Sequence, residues 1–206
     1  IAQRLARYTG LSPEFIERAG LRIDASRFRE ELLRDQRRTV GRYDSRFTGI
    51  DYDAAGERPD YDPSYAAVQG AFNAVVNDYL RTELGYENDL PYEALTGRVQ
   101  PWNFGAGGMG YLDVADTLRS AMTQNPALQV YVACGHFDLA TPFLSAIYTV
   151  NHMGLDPSLK DHVRLGFYEA GHMIYLDQHE LEHLKRDLAA FIASAAPATA
   201  GPVGRG

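Results

Sequence analysis

Apolar residues recur at helical spacing through the first 46 residues, with glycine and proline interrupting the pattern. The interruptions predict several short helices rather than one long helix. Ser12 before Pro13 is typical of a helix start, because serine accepts backbone N–H groups and proline fits the first helical position. A further helix is predicted from Asp24 through Val40.

A loop rich in Asp, Gly and Pro follows over residues 44–63, and the helical pattern then returns. We expect a long helix from Ser64 to about Leu84. Its predicted apolar face consists of Val68, Phe72, Val75, Val76 and Tyr79. Residues 85–110 have no clear period, and the glycines of "WNFGAGGMG" favour irregular backbone there.

Strand-like and helical segments alternate after Tyr111, which predicts an α/β fold with a parallel sheet. Two strands are too few for a sheet covered on both faces, so we expect one end of a larger sheet and hence a fragment. The last helix is predicted to turn Leu181, Leu184, Leu188 and Phe191 inward. The predicted elements are helices over 112–122, 143–152 and 178–193 and strands over 128–133 and 163–168.

Composition narrows the class of protein. A chain of 206 residues, 45% of them hydrophobic, can bury a core. The net charge of −7 argues against a nucleic-acid partner, although residues 1–46 hold eleven arginines against seven acidic residues. No apolar run reaches the length of a membrane span, and no signal peptide is visible after Ile1. The single cysteine, Cys134, lies in an apolar run and is predicted to be buried.

Two candidate catalytic residues follow the two predicted strands. Asp138 comes shortly after the first strand, in "VYVACGHFDLATP", and His172 comes shortly after the second, in "FYEAGHMIYLD". The carboxyl ends of neighbouring parallel strands meet at one sheet edge, where ligands bind. An aspartate that accepts from histidine Nδ1–H fixes the tautomer of the ring and stabilises the imidazolium. The pattern therefore predicts two members of a Ser-His-Asp triad.

The third member is not found in this sequence. The nucleophile of an α/β-hydrolase precedes the aspartate and lies in a G-x-S-x-G turn. None of the eight serines has glycines at the required positions, and Cys134 lies within a predicted strand. We therefore expect the nucleophile to belong to an N-terminal portion that is missing from this chain.

The segments "GHFDLATP" and "YEAGHMIYLD" resemble the aspartate and histidine turns of the serine carboxypeptidase family, especially its bacterial members. "YLDVADTLRSAM" and "PWNFG" are similar to the segment upstream of the aspartate strand in that family, and the arginine-rich helices resemble its helical cap insertion. The resemblance implies the C-terminal part of an α/β-hydrolase sheet over residues 101–195. It also implies a mostly helical cap over residues 1–100. The tail, residues 196–206, is predicted to be disordered.

By this resemblance, Asp138 is the triad aspartate and His172 the general base. The substrate would be a peptide with a free C-terminus, the serine would come from the missing portion, and no cofactor or metal would be needed. The family implies a secreted or periplasmic protein. His136, Met173 and Trp102 are candidate substrate-binding residues, with Phe104 near Trp102. A solvent-facing turn is the favoured alternative for His136 and packing between cap and sheet for Trp102 and Phe104, whereas core packing is an equal alternative for Met173.

Other functions are compatible with parts of the sequence. The same fold can carry esterase or acyltransferase chemistry. His179, Glu180 and His183 satisfy the H-E-x-x-H pattern of zinc hydrolases, but a solvated helix is the better interpretation. "ARYTGLSPEFIERAG" resembles a helix-turn-helix, which would make the protein a nucleic-acid-binding module.

Overall fold

The computed structural model describes residues 1–102 and 113–196. The chain forms two compact units, Ile1–Leu112 and Asp113–Gly206, whereas the sequence placed the boundary at residue 100. The predicted tail lies outside the described residues except for Ala196. None of the described helices is both long and apolar enough to cross a membrane.

The N-terminal unit begins with three short helices, as predicted. Ser12 accepts the N–H of Phe15 at 3.1 Å, and Asp24 accepts the N–H groups of Ser26 and Arg27. Side-chain caps thus start the second and third helices. The helices are α1 (Ala2–Thr9), α2 (Pro13–Arg18) and α3 (Ala25–Glu31), and Ala2, Leu11 and Ile16 form their shared core.

The third helix is shorter than predicted. It ends at Glu31, and Arg37 then adopts a left-handed conformation with φ of 53°. The chain turns there into a two-stranded antiparallel sheet that the sequence analysis missed. The elements are a 3-10 turn (Arg34–Gln36), β1 (Arg38–Val40) and β2 (Thr48–Ile50), and β2 lies inside the predicted loop.

Contacts with α3 explain why residues 38–40 form a strand. Arg29 Nε donates to the carbonyl of Val40 at 2.8 Å, and the Thr39 hydroxyl donates to the carbonyl of Arg29 at 3.2 Å. These side chains are buried, so tertiary contacts outweigh the local preference of the arginine-rich segment for helix.

Helix α4 (Pro63–Asp78) starts close to the predicted position and continues into a π-helical turn (Tyr79–Glu83). Its predicted apolar face is largely exposed, since Phe72, Val75 and Tyr79 are 39%, 68% and 51% exposed. Only its first turn is buried in the N-terminal unit. Residues 85–102 are irregular apart from a 3-10 turn (Gly97–Val99), and residues 103–110 of the predicted irregular segment lie outside the described residues.

The C-terminal unit confirms the predicted alternation and the α/β class. Strands β3 (Val130–Gly135) and β4 (Val163–Tyr168) are parallel, with Val130 opposite Val163 and Gly135 opposite Tyr168. The helices are α5 (Ala115–Gln124), α6 (Phe143–His152) and α7 (Gln178–Ala195), with 3-10 turns at Pro157–His162 and Ile174–Leu176.

Two apolar clusters hold this unit together. The larger cluster contains Met122, Met153, Leu155 and Leu159, which pack against residues at the starts of both strands. The smaller cluster contains Tyr168, Ala170 and Ile174, against which Leu184 of α7 packs.

The predicted inward face of α7 is only partly correct. Leu181 and Leu188 are 37% and 36% exposed, whereas Leu184 packs on the smaller cluster and the Phe191 ring lies 5.4 Å from the Tyr131 ring. Polar residues share the buried side of the helix, which the apolar pattern alone could not show. Glu180 is one of them, at 7% exposed.

Candidate active site

The turns that follow β3 and β4 lie against each other. A Cβ atom added to Gly135 would lie 2.3 Å from the carbonyl oxygen of Gly171, so only glycine allows this approach. The backbone N–H of His136 donates to the carbonyl of Tyr168 at 2.9 Å, and that of Phe137 donates to Ala170 at 3.0 Å. The turn that carries Asp138 is therefore fixed to the turn that carries His172.

Asp138 and His172 form a direct contact, as the sequence predicted. His172 Nδ1 lies 2.8 Å from Asp138 Oδ2, although the two residues are 34 positions apart in the chain. Asp138 is buried at 5% exposed, whereas the His172 side chain is 41% exposed. The buried Asp138 carboxylate thus contacts Nδ1 of the His172 ring, and solvent can reach that ring.

Several donors besides His172 surround the Asp138 carboxylate. The N–H groups of Ala140 and Thr141 donate to Oδ1 at 2.7 and 2.9 Å, and the Thr141 hydroxyl donates to Oδ2 at 2.6 Å. Burial by itself would raise the pKa of Asp138. The hydrogen bonds from Thr141, His172 and Ala140 outweigh burial and hold the pKa below its ordinary value. The carboxylate is therefore ionised at neutral pH and accepts the proton on His172 Nδ1.

Thr141 is a site residue that the sequence analysis did not identify. Helix α6 begins at Phe143, two residues after Thr141, and has no side-chain cap. The Thr141 hydroxyl bonds to Asp138 instead and lies 3.2 Å from His172 Nδ1. The D-x-x-T spacing was the available clue, since a threonine three residues after an aspartate can donate back to it.

The end of β4 is fixed from the side of α7. The Tyr168 hydroxyl donates to Asp187 Oδ2 at 2.9 Å and lies 2.5 Å from the Tyr131 hydroxyl. Burial, together with these hydrogen bonds, raises the pKa of Tyr168 far above its ordinary value, so the phenol stays neutral. The strand that precedes His172 is therefore anchored through a neutral donor.

The predicted substrate-binding residues lie in different places. His136 is exposed, stacks on Phe167 with ring centroids 5.9 Å apart and meets the edge of Phe143 at 5.2 Å. Met173 is half-buried and directly follows His172. Trp102 belongs to the N-terminal unit, where it is 58% exposed. Phe104 lies outside the described residues.

Cys134 is buried at 4% exposed, as predicted. Burial raises the pKa of its thiol, and the negative charge of Asp138 raises it further. Since the thiolate is the nucleophilic form, Cys134 is poorly suited to attack a substrate.

The two histidines of the H-E-x-x-H segment of α7 contact the glutamate of the same segment. His179 Nδ1 lies 3.1 Å from Glu180 Oε1, and His183 Nδ1 lies 3.4 Å from Glu180 Oε2. The His179 side chain is 85% exposed. Among residues 1–102 and 113–196, no group of three or more His, Cys, Asp and Glu side chains is arranged to hold a metal ion.

The helix-turn-helix interpretation stays a prediction. Helices α1 and α2 pack together around Ile16, an arrangement that simple helix packing also explains.

Comparisons of the chain with protein-family models, curated proteins and solved structures found no match.

Proposed function

We propose that this chain supplies the aspartate and the general base of a serine-type hydrolase that resembles the serine carboxypeptidases. The observation that carries the proposal is the 2.8 Å contact between buried Asp138 and the exposed ring of His172. The nucleophilic serine would come from an N-terminal portion outside this sequence. In this proposal, the C-terminal unit is one end of an α/β-hydrolase sheet and the N-terminal unit is its helical cap.

In the proposed reaction, the serine hydroxyl attacks the carbonyl carbon of the substrate. His172 takes the hydroxyl proton through Nε2 and then gives it to the leaving group. Asp138 accepts from Nδ1–H, which keeps Nε2 the basic nitrogen and stabilises the imidazolium that forms. Thr141 positions the carboxylate and does not touch the substrate.

The proposed substrate is a peptide with a free C-terminus, which the family resemblance implies, as it does a secreted or periplasmic location. Ester substrates, and acyl acceptors other than water, would use the same two residues, because His172 can carry a proton between the serine, the leaving group and the acceptor whatever their identity. Matched peptide, peptide-amide and ester substrates separate carboxypeptidase, amidase and esterase activity.

Fluorophosphonate labelling of the protein from its natural source, read by intact mass, tests where the nucleophile lies. We expect the label on a longer or separate polypeptide and no label on a serine within these 206 residues. Labelling should depend on His172, so the His172→Ala variant should lose it. His152→Ala is a matched control, because this exposed histidine lies on α6 and bonds to the Tyr148 carbonyl.

A label on one of the eight serines of this chain would contradict a missing nucleophile. Equal labelling of the wild type and of His172→Ala would contradict the proposed role of the histidine, wherever the label lies.

A further inference from the structure

The N-terminal unit contains a concave site of about 210 Å³ beside the start of α4. Its polar lining comes from Arg29, Arg42 and Asp62. All of its lining residues belong to the described part of this unit, residues 1–102. The site is therefore separate in its residues from the pair formed by Asp138 and His172.

Arg29 is the unusual member of this lining. Its side chain is only 7% exposed, and Nε donates to the carbonyl of Val40. Nη2 is buried and has no hydrogen-bond acceptor within the described residues. Its ion-pair partner, Asp62 Oδ2, lies 3.7 Å away, which is too far for a hydrogen bond. Buried donors without an acceptor are rare in folded proteins, so this atom points to a ligand.

Asp62 cannot readily supply the missing acceptor, because other groups already occupy its carboxylate. It caps α4 by accepting the N–H of Ser64 at 3.0 Å and that of Tyr65 at 3.4 Å. Both of its oxygens also lie 3.2 Å from the backbone N–H of Arg42. A rotation toward Arg29 would break these bonds.

The charge and shape of the lining define the ligand. The lining contains two guanidinium groups and one carboxylate, and its net positive charge suits a ligand with a single negative charge. Tyr43, Tyr61, Tyr65 and Leu95 supply flat or apolar walls. The Tyr43 and Tyr65 rings lie 6.4 Å apart and are tilted by 55°. Such walls favour an aromatic or flat apolar body.

We propose that this site binds the carboxylate of a small aromatic acid, with Arg29 Nη2 and Arg42 as donors and the tyrosines around the ring. The carboxylate could belong to a free acid or to the C-terminus of a peptide that ends in an aromatic residue. Both present the same group to Arg29. The site is independent of the proposed hydrolase activity, because it uses none of the triad residues.

Titration of the full 206-residue chain with benzoate, followed by two-dimensional ¹H–¹⁵N NMR, tests the site. We expect saturable shifts of the Arg29 Nε–H and of the backbone N–H groups of Arg42 and Tyr43. Benzamide, which lacks the charge, should bind at least tenfold more weakly. N-acetyl-glycyl-phenylalanine and its C-terminal amide form the second arm, in which binding of the acid alone identifies a peptide C-terminus as a ligand.

Arg42→Gln should weaken benzoate binding about tenfold, since it removes one charge-assisted contact from an exposed side chain that does not hold the fold. Arg22→Gln, at another exposed arginine of the same unit, should bind like the wild type. Arg29→Lys should also bind benzoate more weakly. If the Arg29 variant does not fold, the Arg42 variant still tests the proposal. Equal binding of benzoate and benzamide, equal loss in both exposed variants, or no saturable shift with either acid would overturn the proposal.

Discussion

Each unit of the molecule buries a carboxyl group, and the two groups have opposite hydrogen-bonding environments. Asp138 in the C-terminal unit is 5% exposed and accepts from two backbone N–H groups, a hydroxyl and an imidazole. Glu30 in the N-terminal unit is fully buried beside buried Asp51, and no N–H or hydroxyl donor in the described residues bonds to either carboxyl group. Hydrogen-bond donors, rather than burial, therefore decide which acid is ionised.

The two sites respond to pH with opposite signs. Burial, together with the neighbouring Asp51 carboxyl group, raises the pKa of Glu30 to about 7, although the Arg34 guanidinium, 3.7 Å away, acts to lower it. Glu30 therefore binds a proton in the folded state that it releases in the unfolded state, and its stabilising effect is lost as pH rises toward 7. The lowered pKa of Asp138 has the reverse effect, because its contribution is present above its unfolded value and lost in acid.

The largest expected difference between the two sites is catalytic. In the complete hydrolase that we propose, Asp138→Asn should lower kcat by a factor on the order of 10⁴, because the amide cannot hold the required His172 tautomer. Glu30→Gln should leave kcat near the wild-type value, since Glu30 belongs to the other unit. Steady-state kinetics on a peptide substrate measures both. A large loss of kcat in the Glu30 variant would mean that the two sites are coupled.

The next largest effect is on the stability of the N-terminal unit. Between about pH 4.5 and pH 7, this unit should lose on the order of 2–3 kcal/mol of unfolding free energy as Glu30 loses its proton. Glu30→Gln should abolish that loss, because the amide stays neutral at every pH. Hydrogen exchange of the amides in β1 and β2, corrected for intrinsic rates, measures it.

Exposed Glu17 on α2 offers a matched control for this measurement. Glu17→Gln should keep the pH dependence of the wild type. A stability that rises with pH in β1 and β2 would show that Glu30 is ionised when folded, and the contrast with Asp138 would then disappear.

The Thr141→Val substitution tests whether hydrogen-bond donors keep buried Asp138 ionised. The substitution removes the 2.6 Å hydroxyl bond to the carboxylate and should cost about 1.5–3 kcal/mol at pH 7, as is typical of hydrogen bonds to charged groups. It should also move the pKa of Asp138 upward, which ¹³C NMR of the carboxyl carbon detects. Thr141→Ser keeps the hydroxyl and should behave like the wild type. Equal effects of both substitutions would show that the Thr141 hydroxyl contributes neither to the stability nor to the lowered pKa of Asp138.

The smallest effects concern two helix-capping aspartates that are less buried than Asp138, the exposed Asp24 and the half-buried Asp177. Asp24 accepts two N–H groups at the start of α3, and Asp177 accepts those of His179 and Glu180 at the start of α7. Either change to Ala should cost about 1 kcal/mol at neutral pH, measured by chemical denaturation. A cost much above that of Thr141→Val at either cap would contradict the ranking of these less buried carboxylates below Asp138.

Features fixed by local chemistry could be predicted from the sequence. Ser12 and Asp24 start their helices as expected, and α6 and β4 have their predicted bounds. These features were predictable because the Pro, Gly and Asp residues that begin or end elements can be identified in the sequence. The contact between Asp138 and His172 followed from one topological rule, that parallel strands end at the same edge.

Features that depend on distant partners could not be predicted. The β1–β2 pair forms because Arg29 of α3 donates to the carbonyl of Val40 and Thr39 of β1 donates to the carbonyl of Arg29. No local sequence pattern indicates hydrogen bonds of this kind. The buried side of α7 includes Glu180, which apolar periodicity assigns to solvent. The closeness of Glu30 and Asp51 is likewise invisible in a sequence that separates them by a turn and two strands.

The tautomer of His172 tests the central claim most directly and can be measured on this chain by itself. Long-range ¹H–¹⁵N NMR of the imidazole should show the proton of the neutral ring on Nδ1 and an unprotonated Nε2, because ionised Asp138 accepts from Nδ1 at 2.8 Å. Asp138→Asn should abolish this preference. A neutral ring that carries its proton on Nε2 in the wild type would contradict the account, since His172 could not then act as the general base.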